Sequence, residues 1–334
     1  LDRAGRIVGD VRIITLEDHF ETALYHEQMP PDELRRRWYR DRSLHLGHDI
    51  EKELHDIGAS RIAAMDAAGI DLQVLSLTAA GAQAFEGELA VRIATDANDR
   101  MHAAMKAYPG RFQAFAALPT AEVDAAVREL DRTITQLGFV GTMINSHTRG
   151  SFLDDQKYWP IFERAQQLDV PIYLHPSQPH PLLMNSYFKG FEDLARPAWG
   201  FMVDASMHFL RILFSGAFDA FPRLKIILGH LGEGLPFAMD RLLDHTGYVA
   251  EWRHLKRGPA QCLRENLSVT TSGNFSVPAF LCTVMMLGVD NVMFSVDWPY
   301  ESNQVFVEFL KRLPVSADDR EKIAHRNAAE LLRL

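Results

Sequence analysis

Along the chain, short apolar runs rich in β-branched residues alternate with longer Ala- and Leu-rich stretches whose apolar residues recur at i, i+3 and i+4. The first pattern predicts buried strands and the second predicts amphipathic helices. Strands are expected at 11–17 (VRIITLE), 71–77 (DLQVLSL), 111–118 (RFQAFAAL), 140–145 (VGTMIN), 171–175 (PIYLH), 225–230 (KIILGH), 267–272 (LSVTTS) and 291–297 (NVMFSVD). Helices are expected over Arg61–Ala68, Glu88–Ala107, Glu122–Leu137 and Tyr158–Leu168. Strands joined by helical crossovers imply a parallel sheet. Eight of them favour a (β/α)8 TIM barrel over an open doubly wound sheet.

Two stretches break the alternation. Residues 20–60 are rich in charge, Pro and His, and residues 176–198 hold several prolines and aromatics. Both follow the C-terminal end of a strand, where barrel enzymes build their sites, so both are read as active-site loops. No linker or low-complexity segment divides the sequence, and 1–334 is read as a single barrel domain with these two insertions. No G-x-G-x-x-G follows the first strand and no P-loop occurs, which argues against nucleotide binding.

Composition narrows the classes further. The 334 residues are 47% hydrophobic and 24% charged, which excludes collagen-like and largely disordered chains. The net charge of -9 argues against nucleic acid or an anionic membrane surface as partner. No apolar run reaches the ~20 residues that span a bilayer. The segment Leu1 to Asp10 is too polar for a signal peptide and lacks an initiator Met, so the chain is expected to begin inside the encoded protein and to reside in the cytoplasm. Cys262 and Cys282 are read as buried thiols of a reducing compartment.

The strand ends carry the candidate chemistry. Glu17 and His19 lie on strand 1, Asn145 ends strand 4, His175 strand 5 and His230 strand 6; Thr271 and Ser272 end strand 7, and Asp297 ends strand 8. Glu17 and His19 are two apart and face the same side of a strand, which in a barrel is the interior. With His175 and Asp297 they offer two nitrogen and two oxygen ligands, a set suited to Zn²⁺, Mn²⁺ or Fe²⁺ with positions left for water and substrate. No cysteine is near enough in sequence to make a thiolate site. Asp18 faces the opposite side and is read as structural. His230 and Glu233 in GHLGEGLPF are read as an acid/base pair beside the metal, with glycines letting the backbone crowd the pocket. Arg241 follows within two to three helical turns and is taken as a contact for a substrate carboxylate. Asn145 and Tyr300 are further substrate-binding candidates, the latter within an aromatic wall formed by Trp298, Pro299 and Tyr300. His147 is a weaker pocket candidate. His26, His45, His48 and His55 are assigned to surface or loop packing, and His208 to a helix face.

At this point the chain resembles the metal-dependent, nonoxidative decarboxylases of the amidohydrolase superfamily, a group that includes γ-resorcylate, 2,3-dihydroxybenzoate, 5-carboxyvanillate and aminocarboxymuconate-semialdehyde decarboxylases. The resemblance is carried by LEDHF (16–20), MDAAGIDLQVLSL (65–77), GFVGTMINSHTRG (138–150), PIYLHP (171–176), FPRLKIILGHLGEGLPF (221–237), TTSGNF (270–275) and FSVDWPYE (294–301). It implies Glu17, His19, His175 and Asp297 as the metal set, an acid/base supporting role for His230 and Glu233, and a possible carboxylate contact at Arg241. Many amidohydrolases bear H-x-H on strand 1 and a carboxylated lysine on strand 4. Here strand 1 has E-x-H and strand 4 has no lysine, so one divalent metal, Mn²⁺ or Zn²⁺, is implied rather than two. The implied reaction is decarboxylation of a hydroxybenzoate-type aromatic acid, with Asp297 protonating the ring carbon before CO₂ leaves. The alternative is hydrolysis of a lactone or amide at the same site. A homodimer or homotetramer is implied by similarity, with the helical region Ala198–Phe218 as an interface candidate.

Overall fold

The computed structural model describes residues 11–334. Eight strands appear where apolar runs predict them: β1 (Ile14–Phe20), β2 (Leu72–Leu77), β3 (Phe112–Ala117), β4 (Gly141–Asn145), β5 (Ile172–His175), β6 (Ile226–Leu228), β7 (Leu267–Thr270) and β8 (Val292–Met293). They form one parallel sheet in sequential order, β1 next to β2 through to β8. Parallel sheets are covered on both faces, so their strands read as continuous rather than alternating apolar runs. Accordingly, β2, β4, β5 and β6 are buried at every position.

The sheet curls until its two ends meet, but the regular ladder stops at β8. Between β8 and β1 the contact is an isolated parallel bridge, Asp18 to Trp298. Two backbone bonds accompany it: His19 N donates to Trp298 O at 2.7 Å and Asp297 N donates to Glu17 O at 3.2 Å. Ser295 Oγ accepts from Leu16 N at 3.1 Å and from Glu17 N at 2.8 Å, standing in for ladder carbonyls. On its other side, the pairing of β1 with β2 has a register irregularity between Thr15 and Asp18. The first strand runs on to Phe20, so Glu17 and His19 lie within it rather than at its end.

Inside the curl, Ile14, Leu16, Val74, Phe115, Tyr173 and Ile227 pack together, and Ala328 and Leu332 of the last helix join them. That plug occupies the end of the sheet away from His19, His175 and Asp297. A larger apolar cluster lies between the sheet and the surrounding helices, among them Gly87–Ala107, Val123–Thr135 and Trp159–Leu168.

Residues 20–60 are not a loop. They form α1 (Ala23–Gln28), α2 (Glu33–Leu46) and α3 (Ile50–Leu54), with α4 (Ala59–Ala68) following as expected. Thr22, Asp32 and Asp49 cap them by accepting from Tyr25 N, Arg35 N and Lys52 N. These helices are dominated by charge and lack the wide apolar stripe that betrays a core-facing helix, so only the caps mark them in sequence. In 176–198 the structure has one short helix, Pro181–Met184, among turns. Among the described residues no helix is long and apolar enough to cross a membrane. The polar segment Leu1 to Asp10 lies outside the described residues.

The helix Gly200–Phe214 carries His208 on its buried face, as its helix-face assignment expects. His208 Nε2 accepts from Leu153 N at 2.9 Å, so the native state needs a neutral ring. Burial, with His147 and Arg211 adding repulsion, pushes its imidazole from 6.5 down to about 3. The unfolded chain takes up this proton first, so the stability contributed here is lost as pH falls from 6.5 toward 3. In His208→Gln an amide oxygen replaces the ring nitrogen as acceptor and does not titrate. Relative to wild type, the variant should gain about 1.4 kcal/mol per pH unit across that window in urea denaturation. A difference that stays constant with pH would refute the assignment.

Candidate active site

Two strands and the segment beyond a third bring the strand-end residues together. Glu17 and His19 come from β1, His175 is the last residue of β5, and Asp297 follows β8. One ligand-type atom from each lies within 4.8 Å of all the others. His19 Nε2 is 3.2 Å from Asp297 Oδ1 and 3.7 Å from Glu17 Oε1, while His175 Nε2 is 3.0 Å from Glu17 Oε1. Glu17 and His19 are fully buried, and the Asp297 side chain is 15% exposed, so it is the carboxylate that reaches into the open mouth.

A buried carboxylate needs donors. Tyr173 OH and Ser272 Oγ both donate to Glu17 Oε2 in short hydrogen bonds. The Tyr173 hydroxyl is itself held by Thr270 Oγ1 at 2.7 Å. Gly229 makes room for this arrangement: a Cβ there would lie 2.8 Å from Glu17 Oε2 and 3.0 Å from Ser272 Oγ. Among the described residues the other oxygen, Oε1, has no hydrogen-bond partner, and neither have His19 Nε2 and Asp297 Oδ1. His175 Nε2 approaches Oε1 at ion-pair distance without hydrogen-bond alignment. Three unpartnered buried atoms aimed at one point are the donor pattern a divalent cation satisfies. Ser76 Oγ, 3.1 Å from His19 Nδ1, fixes that ring so that Nε2 faces the cluster.

The electrostatics agree. Burial disfavours a charged His19, yet the neighbouring carboxylates of Asp297 and Glu17 outweigh it and lift the imidazole to about 9. Burial likewise opposes the Glu17 carboxylate, and His230 and His175 still hold it well below the usual carboxylate range. A group of side chains that draws protons onto its histidines is one built around positive charge.

His230 stands beside the cluster, its Nε2 3.5 Å from Glu17 Oε1 and 3.8 Å from Asp297 Oδ2. Its Nδ1 is 2.6 Å from Glu233 Oε1, which realises the pairing expected from GHLGEG. Burial opposes its charged form, but Glu233 and Glu17 raise the imidazole well above its ordinary value. This segment is not a regular helix start: His230, Leu231 and Glu233 all have positive φ, between 52° and 58°. Asp297, at φ 83°, also occupies this sparsely populated region, and such backbone strain concentrates at functional sites.

The cluster opens into a cavity of about 790 Å³. Both insertions line it: Met29, Arg35, Trp38 and Tyr39 from the first, Gln178 and Arg196 from the second. Tyr300 lines it as expected, its hydroxyl 3.0 Å from Tyr39 OH and 2.5 Å from Thr78 Oγ1. Other expected contacts do not. Arg241 is exposed and off the cavity, because Leu235 and Met239 set the buried face of its helix and Arg241 falls on the opposite side. Asn145 is buried against Gly81, behind the cavity wall. His147 is also off the cavity, accepting from Gly150 N at 3.0 Å. The lysines and arginines at the cavity are instead Arg35, over the Tyr39 ring at 5.6 Å, and Arg196, held by both oxygens of Asp32 at 2.8 and 2.6 Å. Cys282 is half-buried on the wall, not in the core; Cys262 is buried.

Of the residues missed in sequence, Tyr173 had a signal: it is two before His175 and so shares its face of the strand. His48 packs on a loop as expected, with its Nε2 2.8 Å from Pro299 O and its ring stacked on Trp298 at 4.6 Å, bracing the segment after Asp297.

Comparison with known proteins gives a consistent result. The amidohydrolase family model matches residues 24–334. The chain is 36% identical over 333 residues to γ-resorcylate decarboxylase of Polaromonas sp. strain JS666, covering 96% of this chain and 98% of that protein. It is similar to the crystal structure of a dihydroxybenzoic acid decarboxylase from the same strain with bound manganese and 2-nitroresorcinol, with TM-score 0.87, 35% identity, and 97% of this chain and 98% of that one covered. It is also similar to 5-carboxyvanillate decarboxylase from Sphingomonas paucimobilis, with TM-score 0.87, 33% identity, and 97% and 100% covered.

Because two hydroxyls share the burden of the Glu17 charge, Tyr173→Phe should destabilise the fold by about 1–3 kcal/mol in urea denaturation. In the Glu17→Gln background the same change should cost less. Equal costs in the two backgrounds would show that the hydroxyl does not serve the carboxylate.

Proposed function

The chain belongs to the amidohydrolase family, and from that premise we propose that it is a metal-dependent, nonoxidative decarboxylase of hydroxybenzoate-type aromatic acids. The observation that carries the reading is the convergence of Glu17, His19, His175 and Asp297 at the cavity floor, with three of their buried atoms unpartnered. These four residues would hold one divalent ion, Mn²⁺ or Zn²⁺; manganese is the ion bound in the Polaromonas relative. When bound, the ion supplies Lewis-acid stabilisation of negative charge and a template for a carboxylate with an ortho hydroxyl.

The remaining chemistry belongs to the side chains. Asp297, the more exposed of the two carboxyls, delivers a proton to the ring carbon that bears the substrate carboxylate. Loss of CO₂ from that carbon restores aromaticity. Glu233 accepts from His230 Nδ1, which leaves Nε2 facing Asp297 Oδ2 to hold or resupply the proton. Trp38, Phe201 and Met202 present an apolar wall to the ring, and Tyr300 closes one side. Arg35 and Arg196 replace Arg241 as the cationic contacts open to an anionic substrate. The meeting of β1 with the segment after β8 supports reading the sheet as a (β/α)8 barrel closed at that seam, with 1–334 as one domain. Assembly as a homodimer or homotetramer and a cytoplasmic location complete the reading.

A panel of hydroxybenzoates assayed for CO₂ release tests it. Release is expected for at least one ortho-hydroxy acid, is abolished by chelation and returns with Mn²⁺. Asp297→Asn should lower the rate by about 10²–10⁴-fold while metal content stays near that of wild type. Hydrolysis of lactones or amides without CO₂ release from any acid would overturn the proposal in favour of hydrolysis.

A further inference from the structure

Away from the four residues just described, another mixed group of side chains converges. Glu21 follows β1 directly, His26 lies on α1, and His55 is the C-terminal cap of α3. We propose that Glu21, His26 and His55 form a second divalent-cation site, of a kind that takes Zn²⁺.

The geometry has the right scale. Glu21 Oε1 is 2.9 Å from His26 Nδ1 and 3.4 Å from His55 Nε2. A tetrahedral zinc with bonds of 2.0–2.1 Å separates its ligand atoms by about 3.3 Å. One atom from each of the three residues lies within 4.8 Å of the others, the same limit that the cavity-floor cluster meets. The Glu21 side chain is fully buried, and among the described residues its second oxygen, Oε2, has no hydrogen-bond partner. Arg35 acts on this carboxylate through space, but direct contacts come from two imidazoles at one oxygen, and a shared cation would complete them. The two rings meet edge to face with centroids 5.1 Å apart and are about 40% exposed (41% and 39% for the side chains), leaving open positions for water and a path for the ion. His26 Nε2 faces Glu51 Oε1 at 3.9 Å, where a carboxylate orients a ligating histidine through its other nitrogen. Two nitrogens and one oxygen without a thiolate suit zinc.

The local fold explains the convergence. Thr22 caps α1 and sets its start, so that His26 turns back toward Glu21. Glu21 N donates to Leu54 O at 2.8 Å, which fastens the end of α3, and with it His55, beside the end of β1. A cation here ties α1 and α3 to the sheet. The α2 helix between them carries Arg35, Trp38 and Tyr39 to the cavity, so the site braces that wall without touching substrate.

The test counts bound metal. Protein stripped with a chelator and reloaded with Zn²⁺ should carry two ions per chain by elemental analysis. His26→Asn/His55→Asn should carry one, as should His175→Ala, which keeps the second site alone. In the His175→Ala background zinc should raise Tm, and adding Glu21→Gln should abolish that rise; this single isosteric change covers the case in which the double variant folds poorly. A zinc count that the His26/His55 changes leave unaltered, or no zinc-dependent rise in Tm in His175→Ala, would overturn the proposal and leave the three residues as an ion pair. Neither readout depends on CO₂ release, so failure here is separable from failure of the decarboxylase reading.

Discussion

Burying the Glu17 carboxylate is the constraint around which the upper half of the sheet is arranged. A desolvated carboxylate without partners costs several kcal/mol. The cost is met by Tyr173 from β5, Ser272 just beyond β7 and the histidines of β1, β5 and the segment after β6. Four parts of the sheet are therefore fixed relative to one another by a single side chain. Gly229 then follows as a necessity, since any side chain there would displace the carboxylate or its donors. Ser295 and the Asp297–Trp298 backbone hold β1 from the other side, so the seam of the sheet and the chemistry share Glu17, His19 and Asp297.

This sharing explains what the sequence did and did not disclose. Strands buried on both faces announce themselves as apolar runs, and all eight were legible. Polar residues interrupting or ending such runs were legible too, and four of them converge as expected. What failed was direction on helices. Arg241 was judged by its distance along the chain, but its helical phase relative to Leu235 and Met239 turns it to solvent. Charged helices were also hidden: α2 has no apolar face to give it away, although Asp32 and Gly47 mark its two ends. Tyr173 was overlooked because an aromatic residue in an apolar run reads as core, and it is core as well as donor. Asn145 was judged by its place at a strand end, and the loop through Gly81 covers it.

The mouth is thus made of two unlike materials. Its floor is rigid, being strand ends cross-linked by buried hydrogen bonds. Its walls are helices and turns of the two insertions, tied to each other by Arg196 to Asp32 and to the segment after β8 by Arg42 to Glu301, Tyr39 to Tyr300 and His48 to Pro299. Substituents on a substrate ring would meet the walls, while the reacting carbon would meet the floor. Selectivity is then free to change without disturbing the catalytic geometry.

The plug beneath the floor has a consequence for how the protein is made. Leu16 and Ser295, 279 residues apart, are hydrogen-bonded, and Leu332 packs against the strand that begins at Ile14. During synthesis the first strand leaves the ribosome long before its neighbours across the seam exist. Its apolar inner face and the carboxylate of Glu17 must wait, unpaired, for almost the whole chain to emerge. Removing the helix that carries Leu332 would therefore expose a strand made long before it, making chaperone dependence a property of the first strand rather than of the last.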